Sequence, residues 1–443
     1  MTDAKKLEFL KTILPGRILQ NINLPDDQVV SVNVTTPEHL DGFMSTIHRL
    51  LFTAKNKQSG KTTDYNLMVK VIKGDDSFRT SSRATVQFNN ERILYTRVVP
   101  RFKQLLQEHK SAVDADEWCP RVLYGVSGKF PEYSDQQETI LVMENMTLDG
   151  FKAGPRNDLD EAHLILMAKK IAQFHACSYA MKIINKSEYD KLVDELIPLN
   201  FVTKEEVFES YALLFKLGVG RVVEYVEDHP NVLDSESFKK DFVAFKTKYG
   251  TEPIHLMQKF MKKDDYTIIL HGDYNRNNVL FKYDDQDKPI DVRMFDFQEH
   301  RMGSPAIDLA FFMCMSMPTG LRERFWDPLL KHYHDSLMET LTDILKCSTD
   351  DPRLKPYTYK NFIKHLDYNS LYGGMVAMHF LPWMLAPDEE CAQLAHHFAT
   401  DMYSKEMKHW TKVSGGEPVD LRLIEILRYL SKRGSFAIVH ADD

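Results

Sequence analysis

The sequence predicts an α+β protein of two lobes, a β-rich front lobe followed by a mostly helical back lobe. Three observations lead to this. The apolar residues of the first 146 positions fall mainly into short runs with strand spacing. After Met146 the apolar residues recur at helical spacing almost to the end of the chain. One strand-like island, TIILHGDYNRNNVLFKYDDQDKPIDVRMFDFQ, interrupts those helices. Two lobes enclose a cleft, and clefts between lobes are where ligands usually bind. On this reading residues 1–146 form the front lobe and 147–443 the back lobe.

In the front lobe, VVSVNV and STIHRLLFTA read as two strands and YNLMVKVI as a third, with the polar stretch KNKQSGKTTD connecting the last two. From Arg83 to Leu106 the spacing turns helical, with Val86, Ile93, Tyr95 and Val98 set among charges, and the helix is expected to end near Pro100 or in the turn beyond. CPRVLYGVSG and ETILVMENM supply two further short strands. In the back lobe, residues 158–182, most of 203–263 and nearly all of 304–433 read as helices. The island holds a short apolar run, a polar loop, a second run, a turn at DDQDKP and a third run.

Composition narrows the function. A net charge of -8 argues against a duplex-nucleic-acid binder, which needs a basic stripe to neutralise phosphates. Five scattered cysteines, an odd number without paired spacing, argue against a disulfide framework or a zinc knuckle. No apolar run is long enough to span a bilayer, and the N-terminus lacks a leader pattern, so a reducing, cytoplasmic compartment is expected. Two motifs are set aside. QSGKTT ends like a phosphate-binding loop, but Lys55 stands where that loop needs its first glycine. The paired histidines of AHHF lack a further ligand at metal spacing.

The chemistry concentrates in the island. Phosphoryl transfer asks for a carboxylate to orient and deprotonate the attacking hydroxyl, and for hard oxygen ligands to hold Mg²⁺ against the phosphates. In HGDYNRNNVLF, Asp273 suits the first role. Asn278, in the same loop, and Asp296, after the next hairpin in MFDFQ, suit the second.

HGDYNRNN followed by FDFQ resembles the catalytic loop and metal-binding segment of aminoglycoside phosphotransferases and choline kinases. With GSPAIDLAFF added, the chain more closely resembles the ecdysteroid kinase-like family of arthropods, over about residues 30 to 320. The resemblance implies a protein-kinase-like fold, ATP and Mg²⁺ as cofactors, Asp273 as base, and Asn278 and Asp296 as metal ligands. It makes His271 a loop-ordering residue and Asp308 a buttress of the catalytic loop.

It also implies a phosphate-gripping lysine on the third strand. Lys70 in NLMVK, with Glu91 of FNNERILY as its partner, fits, and Lys73 competes for the role. The loop over the phosphates is expected in HLDGFMST, where Gly42 allows close backbone approach and Ser45 or Thr46 can donate to phosphate. The adenine edge is expected to meet backbone groups of Glu144 to Met146. His175 in AQFHACS is expected to be structural.

The expected activity is transfer of the ATP γ-phosphoryl group to a small, lipophilic alcohol such as an ecdysteroid or a xenobiotic, with no nucleic-acid partner. Phe201, Tyr211, Tyr368, Tyr372, Phe380 and Trp383 are candidate acceptor lining, or core. The alternative is a non-catalytic nucleotide- or ligand-binding protein on a kinase scaffold. A protein kinase is disfavoured, because HRD, DFG and an APE-like segment are all missing.

Overall fold

A computed structural model describes residues 2–37, 44–156, 158–197 and 209–441. The predicted α+β, two-lobed class holds. In the front lobe, helices α1 (Thr2–Thr12) and α2 (Leu14–Asn21) precede strands β1 (Asp27–Thr35), β2 (Ser45–Asn56) and β3 (Thr62–Ile72). Helices α3 (Asp76–Ser81), α4 (Ala84–Ile93) and α5 (Val99–Glu108) follow, then β4 (Val122–Phe130) and β5 (Ser134–Glu144). The strands form one antiparallel sheet in the order β1-β2-β3-β5-β4.

Both faces of this sheet are covered, and the strand period of two decides what each face carries. On β3, Leu67, Val69 and Val71 join Phe9, Leu10, Leu14 and Ile18 of α1 and α2 in one apolar cluster. Ile72 packs on the other face against Ala84 and Phe88 of α4. Lys70 shares the parity of Ile72 and so points to the α4 side, toward the back lobe. The two N-terminal helices are absent from the sequence reading, because Pro15 breaks their apolar spacing into pieces too short to register.

The helix expected to stop near Pro100 continues to Glu108. A π-helical turn, Leu94–Val98, lets it do so. This extra-wide turn restarts the hydrogen-bond ladder, and Pro100 falls in the first turn of α5, where its missing N–H has no helical partner to lose.

The back lobe begins with β6 (Phe151–Lys152) and the long helix α6 (Glu161–Ile184), followed by α7 (Lys186–Asp194), α8 (Glu209–Asp228), α9 (Glu236–Tyr249) and α10 (Ile254–Phe260). The island forms β7 (Ile268–Ile269), β8 (Val279–Tyr283), β9 (Pro289–Met294) and β10 (Met302–Gly303). Then come α11 (Pro305–Ser316), α12 (Thr319–Leu345), α13 (Tyr359–Asn369), α14 (Leu371–Leu385), α15 (Asp388–Thr400), α16 (Lys405–Val413), α17 (Gly416–Lys432) and α18 (Ala437–His440). One large apolar core runs through this lobe from α6 to α18, beside a smaller cluster of Leu214, Leu394 and Met407. Helices α11 and α14 cross very closely at Gly373, where a Cβ would stand 2.2 Å from the Ala310 carbonyl oxygen. Among the described residues no helix is long and apolar enough to cross a membrane.

Candidate active site

The island's strands carry its chemistry on their connections. β8 pairs with β9, and β7 pairs with β10, so the loop after β7 and the turn after β9 are held side by side. The Phe295 amide donates to the Asn278 carbonyl at 2.9 Å, and His271 Nε2–H donates to the Phe295 carbonyl at 3.1 Å. These two bonds tie the Asp273–Asn278 loop to the residue preceding Asp296. His271 is fully buried and burial lowers its pKa, so it orders the loop as a neutral ring.

A buried carboxylate fixes the start of the loop. Asp308, in the first turn of α11, accepts from the amides of His271 and Gly272, both at 2.8 Å. His175 of α6 lies 3.1 Å from the same carboxylate through Nε2, and its Nδ1 meets the Tyr333 hydroxyl at 2.8 Å. Ser178, one helical turn on, accepts from the Ile269 amide at 3.0 Å. Burial would raise the Asp308 pKa, but the bonds and charge of His175 and the Gly272 amide lower it, so it remains ionised. The AQFHACS segment is therefore structural, as expected for His175, and Asp308 stands where a buttress is needed.

Asp273 is half-buried. Asn275 Nδ2 donates to its Oδ1 at 2.8 Å and Asn278 Nδ2 to its Oδ2 at 2.7 Å, so each oxygen is oriented by one amide. Burial and the charges of Asp296 and Glu299 push its pKa well above the usual carboxylate value, and the two asparagines oppose that. A carboxylate with raised basicity at a cleft is suited to taking a proton.

Opposite lies Lys70. Its Nζ donates to Glu91 Oε2 at 2.8 Å and to Asp296 Oδ1 at 2.7 Å, which joins the front-lobe sheet, α4 and the back lobe through one ammonium. Burial would lower the Lys70 pKa, but Asp296 and Glu91 outweigh it and raise it. Burial raises the Glu91 pKa. Two carboxylates share one cation here, with a third at Asp273, so the cleft carries surplus negative charge. It is Lys70, not Lys73, that meets Glu91.

This surplus, and the donor set, fit Mg²⁺. With its Nδ2 committed to Asp273, Asn278 has its amide oxygen to offer, and Asp296, a quarter exposed, retains Oδ2 beside the oxygen held by Lys70. Asp296 adopts a left-handed conformation (φ 62°) at the head of a short 3₁₀ turn. Mg²⁺ bound to nucleotide needs only one or two protein oxygens, with phosphates and waters completing its shell. Among the described residues no group of three or more His, Cys, Asp or Glu side chains is placed to hold a metal.

The remaining expectations fare unevenly. Gly42 lies outside the described residues. Ser45 is buried at the start of β2, paired in register with Ile72. Glu144 ends β5, but its amide already donates to the Arg121 carbonyl at 3.0 Å, which removes it as a donor to adenine. Met146 begins the next turn and is buried. Phe201 lies outside the described residues, Tyr368 is exposed, and Tyr372 is buried in the core.

The sequence reading missed a network beside Asp273. Glu299 accepts from the Tyr211 hydroxyl at 2.5 Å and from Arg301 Nη2 at 2.6 Å. The only signal was the run of charges in FQEHR directly after Asp296.

A five-stranded sheet above a helical lobe, joined by a lysine that bridges an α4 glutamate and a back-lobe aspartate, is the architecture of a kinase-like protein. The chain belongs to the ecdysteroid kinase-like family, whose model matches residues 39–346. In general terms this makes it one of the small-molecule kinases. No curated protein matches the chain. Among solved structures it is similar to an ADP-bound aminoglycoside phosphotransferase, APH(2'')-Ib, with 12% identity, 89% of this chain and 98% of that one covered, and a TM-score of 0.31.

Proposed function

We propose that the protein transfers the γ-phosphoryl group of ATP to a hydroxyl of a small, lipophilic alcohol, such as an ecdysteroid or a xenobiotic. The observation that carries the proposal is Lys70 bridging Glu91 and Asp296 across the cleft from the asparagine-oriented Asp273. Lys70 grips the α- and β-phosphates, and backbone groups of Glu144 to Met146 meet the adenine edge. Asp273 orients the acceptor hydroxyl and takes its proton as the oxygen attacks phosphorus. Asn278 and Asp296 hold Mg²⁺, which when bound neutralises charge on the phosphate oxygens. Tyr211, joined to Glu299 beside Asp273, marks the acceptor side. Mass-spectrometric detection of phosphorylated product from Mg-ATP and a panel of ecdysteroids, steroid alcohols, phenolic xenobiotics and choline tests this.

Two substitutions test the nucleotide side. Lys70→Ala is expected to lower turnover roughly a hundred-fold or more, the scale seen when one charge-stabilising donor is lost. Lys73→Ala is expected to change it little. The reverse ranking would move the phosphate grip to Lys73. Asp296→Ala is expected to abolish Mg²⁺-dependent nucleotide binding while the protein stays folded, because the side chain is partly exposed and Lys70 keeps Glu91. Thermal melting with and without Mg-ADP reads both properties at once. A full Mg-ADP shift in Asp296→Ala would remove that residue from the metal site.

A further inference from the structure

Below the catalytic loop, three arginines from distant parts of the chain converge with too few acceptors. Arg276 lies in the same loop as Asp273 and is 6% exposed. Its Nη1 makes one long bond, 3.4 Å, to the Pro155 carbonyl, and its Nε is buried with no partner among the described residues. Arg322, in the first turn of α12, is fully buried. Its Nη2 donates to the Met317 carbonyl at 2.9 Å, while its Nε and Nη1 have no partner among the described residues. Arg422 of α17 donates to the Met315 carbonyl at 3.3 Å and lies 2.8 Å from Asp158, and its Nε is likewise unpartnered.

The three belong to one cluster. Residues 155, 158 and 159 join them: the Pro155 carbonyl accepts from Arg276, Asp158 pairs with Arg422, and the Leu159 amide donates to the Ser316 carbonyl at 3.2 Å. Arg322 and Arg422 donate to the Met317 and Met315 carbonyls on either side of Ser316, whose buried hydroxyl lacks a partner among the described residues.

Guanidinium N–H groups only donate. The nearby carbonyls already accept. Asp158 pairs with Arg422 without a well-directed hydrogen bond, Glu425 accepts from Thr319, and Arg156 pairs with Asp388 at the rim. Three cations against Asp158 and Glu425 leave positive charge in surplus. A set of buried forked donors with surplus charge calls for an occupant that brings only acceptor oxygens and negative charge.

We propose that Arg276, Arg322, Arg422 and Ser316 form a binding site for an oxyanion of the phosphate or sulfate class, either free or carried on an organic molecule. It is separate from the nucleotide cleft and does not depend on the kinase reading. An occupant ties the catalytic loop, through Arg276, to α12 and α17.

The test uses the full chain in buffer free of phosphate and sulfate, by thermal melting and titration calorimetry. The probes are inorganic phosphate and a sulfated sterol, with chloride at matched ionic strength as the control. At least one probe is expected to bind and raise the melting temperature in the wild type and in Lys70→Ala. Arg422→Met and Arg276→Gln are expected to weaken that binding roughly ten-fold or more, the loss of a charge-assisted hydrogen bond. Arg422 lies on the partly exposed face of α17, so its substitution leaves the catalytic loop intact. Tighter binding of the sulfated sterol assigns the oxyanion to an organic ligand, and equal or tighter binding of phosphate assigns it to the free ion. Failure of both probes, showing that water alone fills the cluster, overturns the proposal. So does a response lost in Lys70→Ala, or one unchanged in both arginine variants.

Discussion

Asp273→Asn is expected to lower turnover roughly 10²–10⁴-fold, the range for a positioned general base, and to leave nucleotide binding nearly intact. The substitution keeps the shape of the side chain and removes its basicity. It also places an NH₂ group against one of the two amide donors, Asn275 or Asn278, that now meet carboxylate oxygens at 2.8 and 2.7 Å. That mismatch is local and partly solvated, so the melting temperature should fall only slightly. Asn275→Ala is the matching control, because it spares the base and removes one of its two orienting bonds, and its loss of turnover should be smaller. Product formation by Asp273→Asn at the wild-type rate would sink the kinase mechanism. An equal Mg-ADP melting shift in wild type and variant, with product lost only in the variant, would show that the residue acts on chemistry and not on nucleotide binding. If neither protein yields product from any acceptor while both bind Mg-ADP, the non-catalytic reading gains.

The residues of this site were legible in the sequence to the extent that their chemistry is local. HGDYNRNN and FDFQ gather a candidate base and two candidate hard oxygen ligands within a short stretch, so residue type and spacing sufficed to propose Asp273, Asn278 and Asp296. Lys70 could be named but not separated from Lys73. The separation depends on strand register, because Ile72 packs on the α4 face and Lys70 shares its parity. What could not be read was whatever depends on contacts between distant segments. Glu299, Tyr211 and Arg301 meet only because β10 returns beside β7 and α8 packs nearby. The arginines at positions 276, 322 and 422 carry no mutual signal along the chain. The helix expected from Arg83 to Leu106 passes Pro100 without ending there, because a π-helical turn absorbs the break that proline ordinarily imposes.

The support beneath the loop should prove as critical as the loop itself. Gly272 has φ +84°, and a Cβ there would stand 1.9 Å from the Glu299 carbonyl oxygen. Gly272→Ala combines a left-handed penalty with a backbone overlap that neither segment can relieve, since Asp308 holds the loop and β10 holds the far side of Glu299. The expected cost is on the order of 3 kcal/mol, with turnover lost even where the protein still folds, because Asp273 is the next residue. Asp308→Asn asks a gentler version of the same question. It keeps the volume but turns an NH₂ toward an amide N–H or toward His175, and should cost roughly 2–3 kcal/mol as a charge-assisted bond is lost.

The pH dependence separates this cause from a packing defect. The folded pKa of Asp308 is depressed, so its contribution is present above the unfolded carboxylate pKa and disappears as pH falls through the folded value. The stability gap between wild type and Asp308→Asn should therefore be full near neutrality and shrink in acid. Denaturant melts across that range decide it, since a gap independent of pH would mean that Asp308 supports the loop by shape alone.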